Sequence, residues 1–410
     1  MISRSSNSRP RGSQISSSYQ KTDRVSNHSE REDFKNLDKE IQQLNETGLK
    51  YYTQNEYWRA GEFFDQSLKL NPQHTQALGW RAEIAIQLDE NELAARLYKR
   101  LYKQAPGSFQ EYGKLGYALY ELGQTHEAVK ILFKAIHIDP DDLTSHSNLG
   151  RALYDLYSQH KIETAMRISK AWLRQFPDNP DAQHMGAAIL FQQEDCAIEL
   201  PARANAAFVH DLFENFADTF DHKLAEIKYQ APEHIAYYLS TILPLAHQST
   251  ILDLGCGTGL SGQALKPFAR RLIGVDLSQK MLEIAREKQI YDLLIEDDLD
   301  HVFKTLDEFF DIVTAVDVLC YLGDLKKLHE NVYRCLEEGG YFCYSVEDND
   351  QKSHQGYKLT PSGRYQHHPQ YLEQCARDTN FRVITSQKTI LRLEYDQPVE
   401  GWVMLMRKMS

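Results

Sequence analysis

Cysteine is scarce and scattered: the six thiols stand at 196, 256, 320, 335, 343 and 375, with no Cys-x-x-Cys pair and no histidine-rich partner. That spacing excludes a disulfide-stapled scaffold and a zinc-ribbon site, and reads as free thiols in a reducing compartment. No metal-ligand set is expected. Long apolar runs are also missing, so no segment is fit to span a membrane. The first residues lack the apolar h-region of a secretory signal. Positive charge is in deficit, with 46 Lys and Arg against 58 Asp and Glu and a formal charge of −12. This argues against a broad nucleic-acid surface, so nucleic acid is not an expected partner. A soluble, cytoplasmic protein is the expectation.

At 410 residues the chain is too long for one core, and its composition shifts along its length. Residues 1–32 are rich in Ser and Arg and nearly devoid of apolar side chains, which predicts a disordered tail. From residue 41 the chain repeats itself. Pro72, Pro106, Pro140 and Pro177 are spaced 34, 34 and 37. Small residues recur in phase as Gly48, Ala82, Gly116 and Gly150, and again as Ala60, Ala94 and Ala128. Phe64, Tyr98 and Leu132 follow those alanines one helical turn on. Small residues let paired helices approach, large ones fill the groove, and proline ends the second helix. A period of 34 residues is that of tetratricopeptide (TPR) repeats. About four repeats over 41–179 and a capping helix are expected within 33–199. Such repeats present surfaces to a protein or peptide partner; self-association into a homo-oligomer is the alternative.

The stretch Ile251-Leu252-Asp253-Leu254-Gly255-Cys256-Gly257-Thr258-Gly259 is an apolar run that ends in alternating glycines. A buried strand that breaks into a glycine turn and re-enters as a helix offers backbone amides to a nucleotide-like ligand. Seventeen residues past Gly259, Asp276 ends a second apolar run and suits a ribose diol. Gly257-x-Gly259-x-x-Gly262 also satisfies the dinucleotide pattern. Asp253 weighs against it, since a carboxylate there would repel a pyrophosphate, whereas S-adenosylmethionine (SAM) carries an ammonium and a sulfonium; a dinucleotide stays the alternative.

With these motifs, residues from about 205 to 408 resemble a class I SAM-dependent methyltransferase. The particular likeness is to bacterial predicted methyltransferases that carry TPR repeats ahead of the catalytic domain. The resemblance rests on Phe216-Ala217-Asp218-Thr219-Phe220-Asp221, the glycine stretch, Gly274-Val275-Asp276-Leu277-Ser278, Asp317-Val318-Leu319-Cys320-Tyr321, Phe342 to Glu347, and Arg364-Tyr365-Gln366-His367. It implies an all-α TPR superhelix followed by a Rossmann-like, seven-stranded α/β sandwich over 249–410. It also implies a helical linker or lid over 200–248, with Phe220, Asp221 and Tyr229 as lid candidates. Gln366 stands where that subfamily has a small residue.

SAM is the expected cofactor. Its expected contacts are Asp253, Gly255, Cys256, Gly257, Gly259, Asp276, Leu277, Met281, Asp298, Leu299 and Asp317. Strand ends line the ligand crevice of such sheets, which makes Asp317, Tyr321 and Glu347 candidates for the transfer centre. Glu347, Asp317 and His367 are the candidate bases, and a base is needed only if the acceptor is protonated. Arg364, Tyr365 and Arg392 are substrate candidates, since a guanidinium binds carboxylate in two-point geometry. The acceptor is therefore expected to be a small acidic metabolite or a protein side chain brought in by the repeats. A non-catalytic SAM-binding scaffold or sensor acting through the repeats is the alternative.

Overall fold

The computed structural model describes residues 22–104, 109–193, 200–243, 248–350, 355–394 and 396–410. Pro106, Cys196 and the first 21 residues of the tail lie outside them. The tail expectation needs a correction. Helix α1 runs Thr22–Tyr52, so 22–32 are helical rather than disordered. No Gly or Pro stands between Thr22 and Gly48 to interrupt backbone hydrogen bonding ahead of the first repeat.

The chain divides into two compact units, Met1–Leu122 and Gly123–Ser410. The first holds α1, α2 (Tyr57–Leu70), α3 (Thr75–Gln87), α4 (Asn91–Gln104) and α5 (Phe109–Glu121). Phe64 of α2 lies against Gly48 of α1, where a Cβ would stand 2.8 Å from the ring. The second unit opens with α6 (Thr125–Ile138), α7 (Leu143–Ser158), α8 (Ile162–Gln175), a π-helical turn (Ala182–Gly186) and α9 (Ala187–Leu190). Here Gly150 admits Met185, whose Cγ would lie 3.0 Å from a Cβ. The in-phase residues Ala60, Ala94, Ala128, Phe64 and Leu132 are all fully buried, as the repeat logic requires.

Each helix pair turns through one left-handed residue: Asn55, Asp89, Gly123 and His160, with φ of 59°, 56°, 68° and 61°. Asn, Asp and Gly take that conformation readily, and His is the strained member. The division between the units falls at the Gly123 turn, inside the third repeat. The later repeats thus belong with the sheet, and the contacts do not divide the chain near residue 199.

The remaining helices of the second unit are α10 (Ala206–Phe216), α11 (Phe220–Glu226), α12 (Ala231–Ser240), α13 (Leu260–Leu265), α14 (Gln279–Glu287), α15 (Leu299–Thr305), α16 (Lys326–Cys335) and α17 (Pro369–Asp378). They surround strands β1 (Ser249–Leu254), β2 (Ala269–Asp276), β3 (Leu293–Glu296), β4 (Phe310–Ala315) and β5 (Leu336–Asp348), which run parallel in the order β3-β2-β1-β4-β5. Strands β8 (Phe381–Glu394) and β9 (Gln397–Lys408) form a terminal antiparallel hairpin, with β9 against β5. Alternate residues feed the two faces: Leu252 and Leu254 pack on one side and Ile251 on the other.

Two short strands add to the expected seven: β6 (Tyr357–Leu359) and β7 (Tyr365–His367). Strand β4 leaves β5 where Ala315 pairs Tyr344, and β7 takes over that edge where Gln366 pairs Glu347. The other edge of β5 is already held by β9. The hairpin therefore sits directly beyond the carboxyl end of β4. Among the described residues no helix is long and apolar enough to cross a membrane.

Candidate active site

The site lies where the chain leaves β1 in one direction for β2 and in the other for β4. Gly255 follows β1 at φ +66°, and a Cβ there would stand 2.5 Å from Val318 Cγ2. Gly257, at φ +53°, has only the Phe220 ring edge near its Cβ position, so the main chain there is open to a ligand. Both glycines line a cavity of about 270 Å³, together with Cys256, Asp276, Leu277, Leu299, Asp317 and Tyr321.

Asp253 is placed elsewhere. It is fully buried beneath the loop, accepting hydrogen bonds from Ser261 Oγ (2.5 Å), Tyr291 Oη (2.7 Å) and Thr314 Oγ1 (2.9 Å). Burial pushes its carboxyl above the usual range, and the hydroxyl bonds oppose that shift. Its role is to tether the glycine turn, not to face the cavity. Gly259, Met281 and Asp298 are likewise off the cavity wall. Met281 is on the buried face of α14. Asp298 caps α15 and is held by Arg203 at 2.7 Å, while its neighbours Asp297 and Leu299 take the wall positions.

Asp276, at the end of β2, accepts from the Gly257 amide at 2.8 Å and the Ser278 amide at 3.0 Å. Burial raises its carboxyl, and the amide bonds counter this. The two loops after β1 and β2 are thus fixed to one another through the acid expected to bind a ribose.

The segment 206–226 closes over these loops. Leu212, Phe213, Phe216 and Phe220 line the cavity, with Phe213 edge-on to both Phe220 and Tyr321. Glu214 accepts from Ser278 Oγ at 2.6 Å. Asp221 accepts from Thr258 Oγ1 at 2.5 Å and pairs with Lys288 at 2.6 Å. The strap is therefore fastened to both cofactor loops, and Tyr229 joins the wall behind it.

At the far end, Asp317 takes φ +55°, a left-handed conformation held by its amide donating to buried Ser345 Oγ at 2.9 Å. Its carboxylate is 2.5 Å from Arg364 Nη2. Arg364 Nε also donates to Glu347, and Arg392 Nη2 donates to the same Glu347 oxygen at 2.8 Å. Two guanidiniums and two carboxylates thus form a charge-balanced floor. Burial would raise the Glu347 carboxyl, but the Arg364 and Arg392 charges overcome it and hold it down at about 2.

Of the candidate bases, only Asp317 reaches the cavity wall. Glu347 is sealed beneath the two arginines. His367 is a correction: it is fully buried, its Nε2–H donates to Gly323 O at 3.0 Å, and burial lowers it to about 4. Tyr365 is another, since its hydroxyl donates to Pro201 O at 2.9 Å and leaves the site. Tyr321, Arg364 and Arg392 do line the cavity. Nothing in the sequence signalled Arg203, Tyr291, Glu214 or Lys288, which act on the site from positions far apart in the chain.

The strand order, the terminal hairpin and the glycine loop are those of an open α/β sheet with its ligand crevice at the carboxyl ends of the strands. Residues 252–344 match the family model described as a methyltransferase domain, while 46–109 and 116–156 match two tetratricopeptide-repeat models. The chain thus carries a methyltransferase domain behind TPR repeats.

Among curated proteins it is similar to the ubiquinone biosynthesis O-methyltransferase of Hydrogenovibrio crunogenus, at 29% identity over 31% of this chain and 60% of that one. It is also similar to a probable 18S rRNA (guanine-N(7))-methyltransferase of Dictyostelium discoideum, at 29% identity over 27% of this chain and 38% of the relative. The chain therefore spans less than two thirds of either relative, and their names point to different acceptors. The solved magnesium protoporphyrin IX methyltransferase of Synechocystis, with bound S-adenosylhomocysteine (SAH), covers 50% of this chain and 99% of its own at TM-score 0.39 and 16% identity.

Proposed function

We propose that this chain transfers the methyl group of SAM to a small acceptor held at the Asp317 end of the cavity, with the TPR repeats recruiting a protein partner. The observation that supports the reading is one cavity that joins Gly255, Gly257 and Asp276 to Asp317, Tyr229 and Tyr321. The residues fit the cofactor: Gly257 leaves the main chain bare, and Asp276 faces the cavity at the end of β2. SAM supplies the electrophilic methyl when bound.

The chain's own share is to orient, to exclude water and to hold the acceptor's proton if there is one. Asp276 fits a ribose diol, and the Phe213–Phe216–Phe220 strap keeps water out. Asp317, the one candidate base on the wall, is placed to accept a proton from the acceptor. Arg364 and Arg392 were expected to bind an acidic acceptor, but both are engaged by Glu347, and Arg364 also by Asp317. The floor has no surplus positive charge, which favours a neutral hydroxyl, thiol or amine over a free carboxylate.

The test is calorimetric titration of the full chain with SAH, using NADH as control. Micromolar SAH binding with none of NADH is the expected result, and absence of SAH binding would sink the reading. Asp276→Ala is expected to weaken SAH by about a hundredfold, because a charged hydrogen-bond partner is worth roughly 3 kcal/mol, and to lower the melting temperature by a few degrees as the Gly257 and Ser278 amides lose their acceptor. An unchanged affinity would remove Asp276 from the cofactor site. Asp221→Asn, which loosens the strap from Thr258 and Lys288, is expected to speed SAH dissociation by about tenfold in stopped-flow displacement.

A further inference from the structure

The repeats reach into the floor of the site by two routes, both within the second compact unit. On the first, Tyr154 of α7 donates its hydroxyl to Glu394 Oε1 at 2.6 Å. The other oxygen of Glu394 lies 3.4 Å from Arg392 Nη2, the nitrogen that also donates to Glu347 at 2.8 Å. Arg392 is buried, and its Nη1 has no hydrogen-bond partner among the described residues and stops 4.0 Å from Asp317. Its position is therefore set by what holds Nη2, and one of those holds ends on a repeat tyrosine.

The second route runs through the β6–β7 hairpin. His184, in the π-helical turn after the last repeat, is buried and donates Nε2–H to Gly363 O at 2.7 Å. Gly363 takes φ +80°, and a Cβ there would stand 2.5 Å from Met185 Sδ, so the hairpin tip is fitted against this turn. Gln192 Nε2 donates to Leu359 O at 3.0 Å, and Ala188 packs with Tyr357, Leu359 and Tyr365. The next residue after Gly363 is Arg364, which carries the bonds to Asp317 and Glu347.

We infer that Tyr154 and His184 are positioning residues for the transfer site: Tyr154 sets Arg392 through Glu394, and His184 sets Arg364 through Gly363. The last repeats form the outer support of the guanidinium floor. This rests on the reading of the cavity as a methyl-transfer site, and it makes the repeat array part of that site as well as a surface for partners. Movement of α7 is then transmitted to Arg392 through the Tyr154–Glu394 bond, and movement of the 182–186 turn to Arg364 through the β6–β7 hairpin, without any change in the glycine loop.

A double-mutant cycle on the full-length chain tests this, read both as SAH affinity and as the side-chain ¹⁵N resonances of labelled arginine. Tyr154→Phe removes one hydroxyl and keeps the ring. It is expected to shift the Arg392 guanidinium resonances and to weaken SAH about fivefold, on the scale at which neighbouring residues couple. In an Arg392→Lys background the same change is expected to add nothing. His184→Phe, which keeps the ring packed on Phe208, is expected to move the Arg364 Nε resonance instead.

Equal SAH losses in both backgrounds, or unmoved arginine resonances with a lowered melting temperature, would reduce Tyr154 to a packing residue and overturn the inference. Failure of the parent chain to bind SAH strikes the cofactor reading alone, because the resonance arm still decides the positioning. Should Arg392→Lys fail to fold, Glu394→Gln replaces it in the cycle.

Discussion

Glu347→Gln is expected to lower the melting temperature of the full chain by roughly 10 °C, through a loss of about 3–5 kcal/mol. The carboxylate is only 4% exposed and is shared by Arg364 and Arg392, whose side chains are 17% and 7% exposed. Removing its charge takes away the carboxylate the two guanidiniums share, leaving Arg364 to Asp317 and Arg392 to the longer contact with Glu394. Breaking one partner of a buried network costs far more than the network itself contributes.

The pH dependence is set by the sign of the shift. The folded-state value of Glu347 is about 2, below its ordinary 4.5, so its contribution is fully present above pH 4.5 and is lost as the pH falls through 2. The stability gap between parent and variant should therefore narrow steadily across that window in calorimetric scans. A gap that holds constant from pH 5 to 2.5 would show that the arginines do not depress this carboxyl.

Gly255→Ala is the second large expectation. A left-handed φ costs an L-residue about 1–2 kcal/mol, and the new methyl would meet Val318 at 2.5 Å, in a loop with little room to move. Together these should remove about 3 kcal/mol or more from stability, and SAH binding should fall by at least about a hundredfold. Val318→Gly in the same chain removes both clashing atoms, Cγ2 and the Cβ that would itself stand 2.6 Å away, but not the backbone strain at 255. The double variant should therefore recover part of the melting temperature and little of the SAH affinity. Full recovery of both would show that sterics alone required glycine at 255.

The strands β1, β2 and β4 and the glycine loop were legible because each is a local pattern: an apolar run, a break, an acid at the end. The repeats were legible because their period is carried by small residues and prolines. What escaped was long-range. Asp253 belongs to the loop motif, yet Ser261, Tyr291 and Thr314 draw it beneath the turn, and no local pattern says which way a strand-end carboxylate will face. Strands β6 and β7 are three residues each, too short for any periodicity. The run Arg364-Tyr365-x-His367 pointed to the right place, but within it only Arg364 reaches the cavity, because alternate bonds to Pro201 and Gly323 take the other two away. Tyr154 meets Glu394 across 240 positions of sequence, a pairing that only the folded chain reveals.

The left-handed turns at Asn55, Asp89, Gly123 and His160 also bear on how such a chain diversifies. Repeat arrays gain and lose units by duplication, and a unit that can come and go contacts only its neighbouring repeats and is indifferent to anything beyond them. Here the last units are not indifferent: Tyr154, His184 and Gln192 are spoken for by residues of the sheet domain. Lineages descended from such a chain should therefore vary in repeat number only upstream of Gly123, while the segment from α7 to α9 is inherited as a block with the domain it supports.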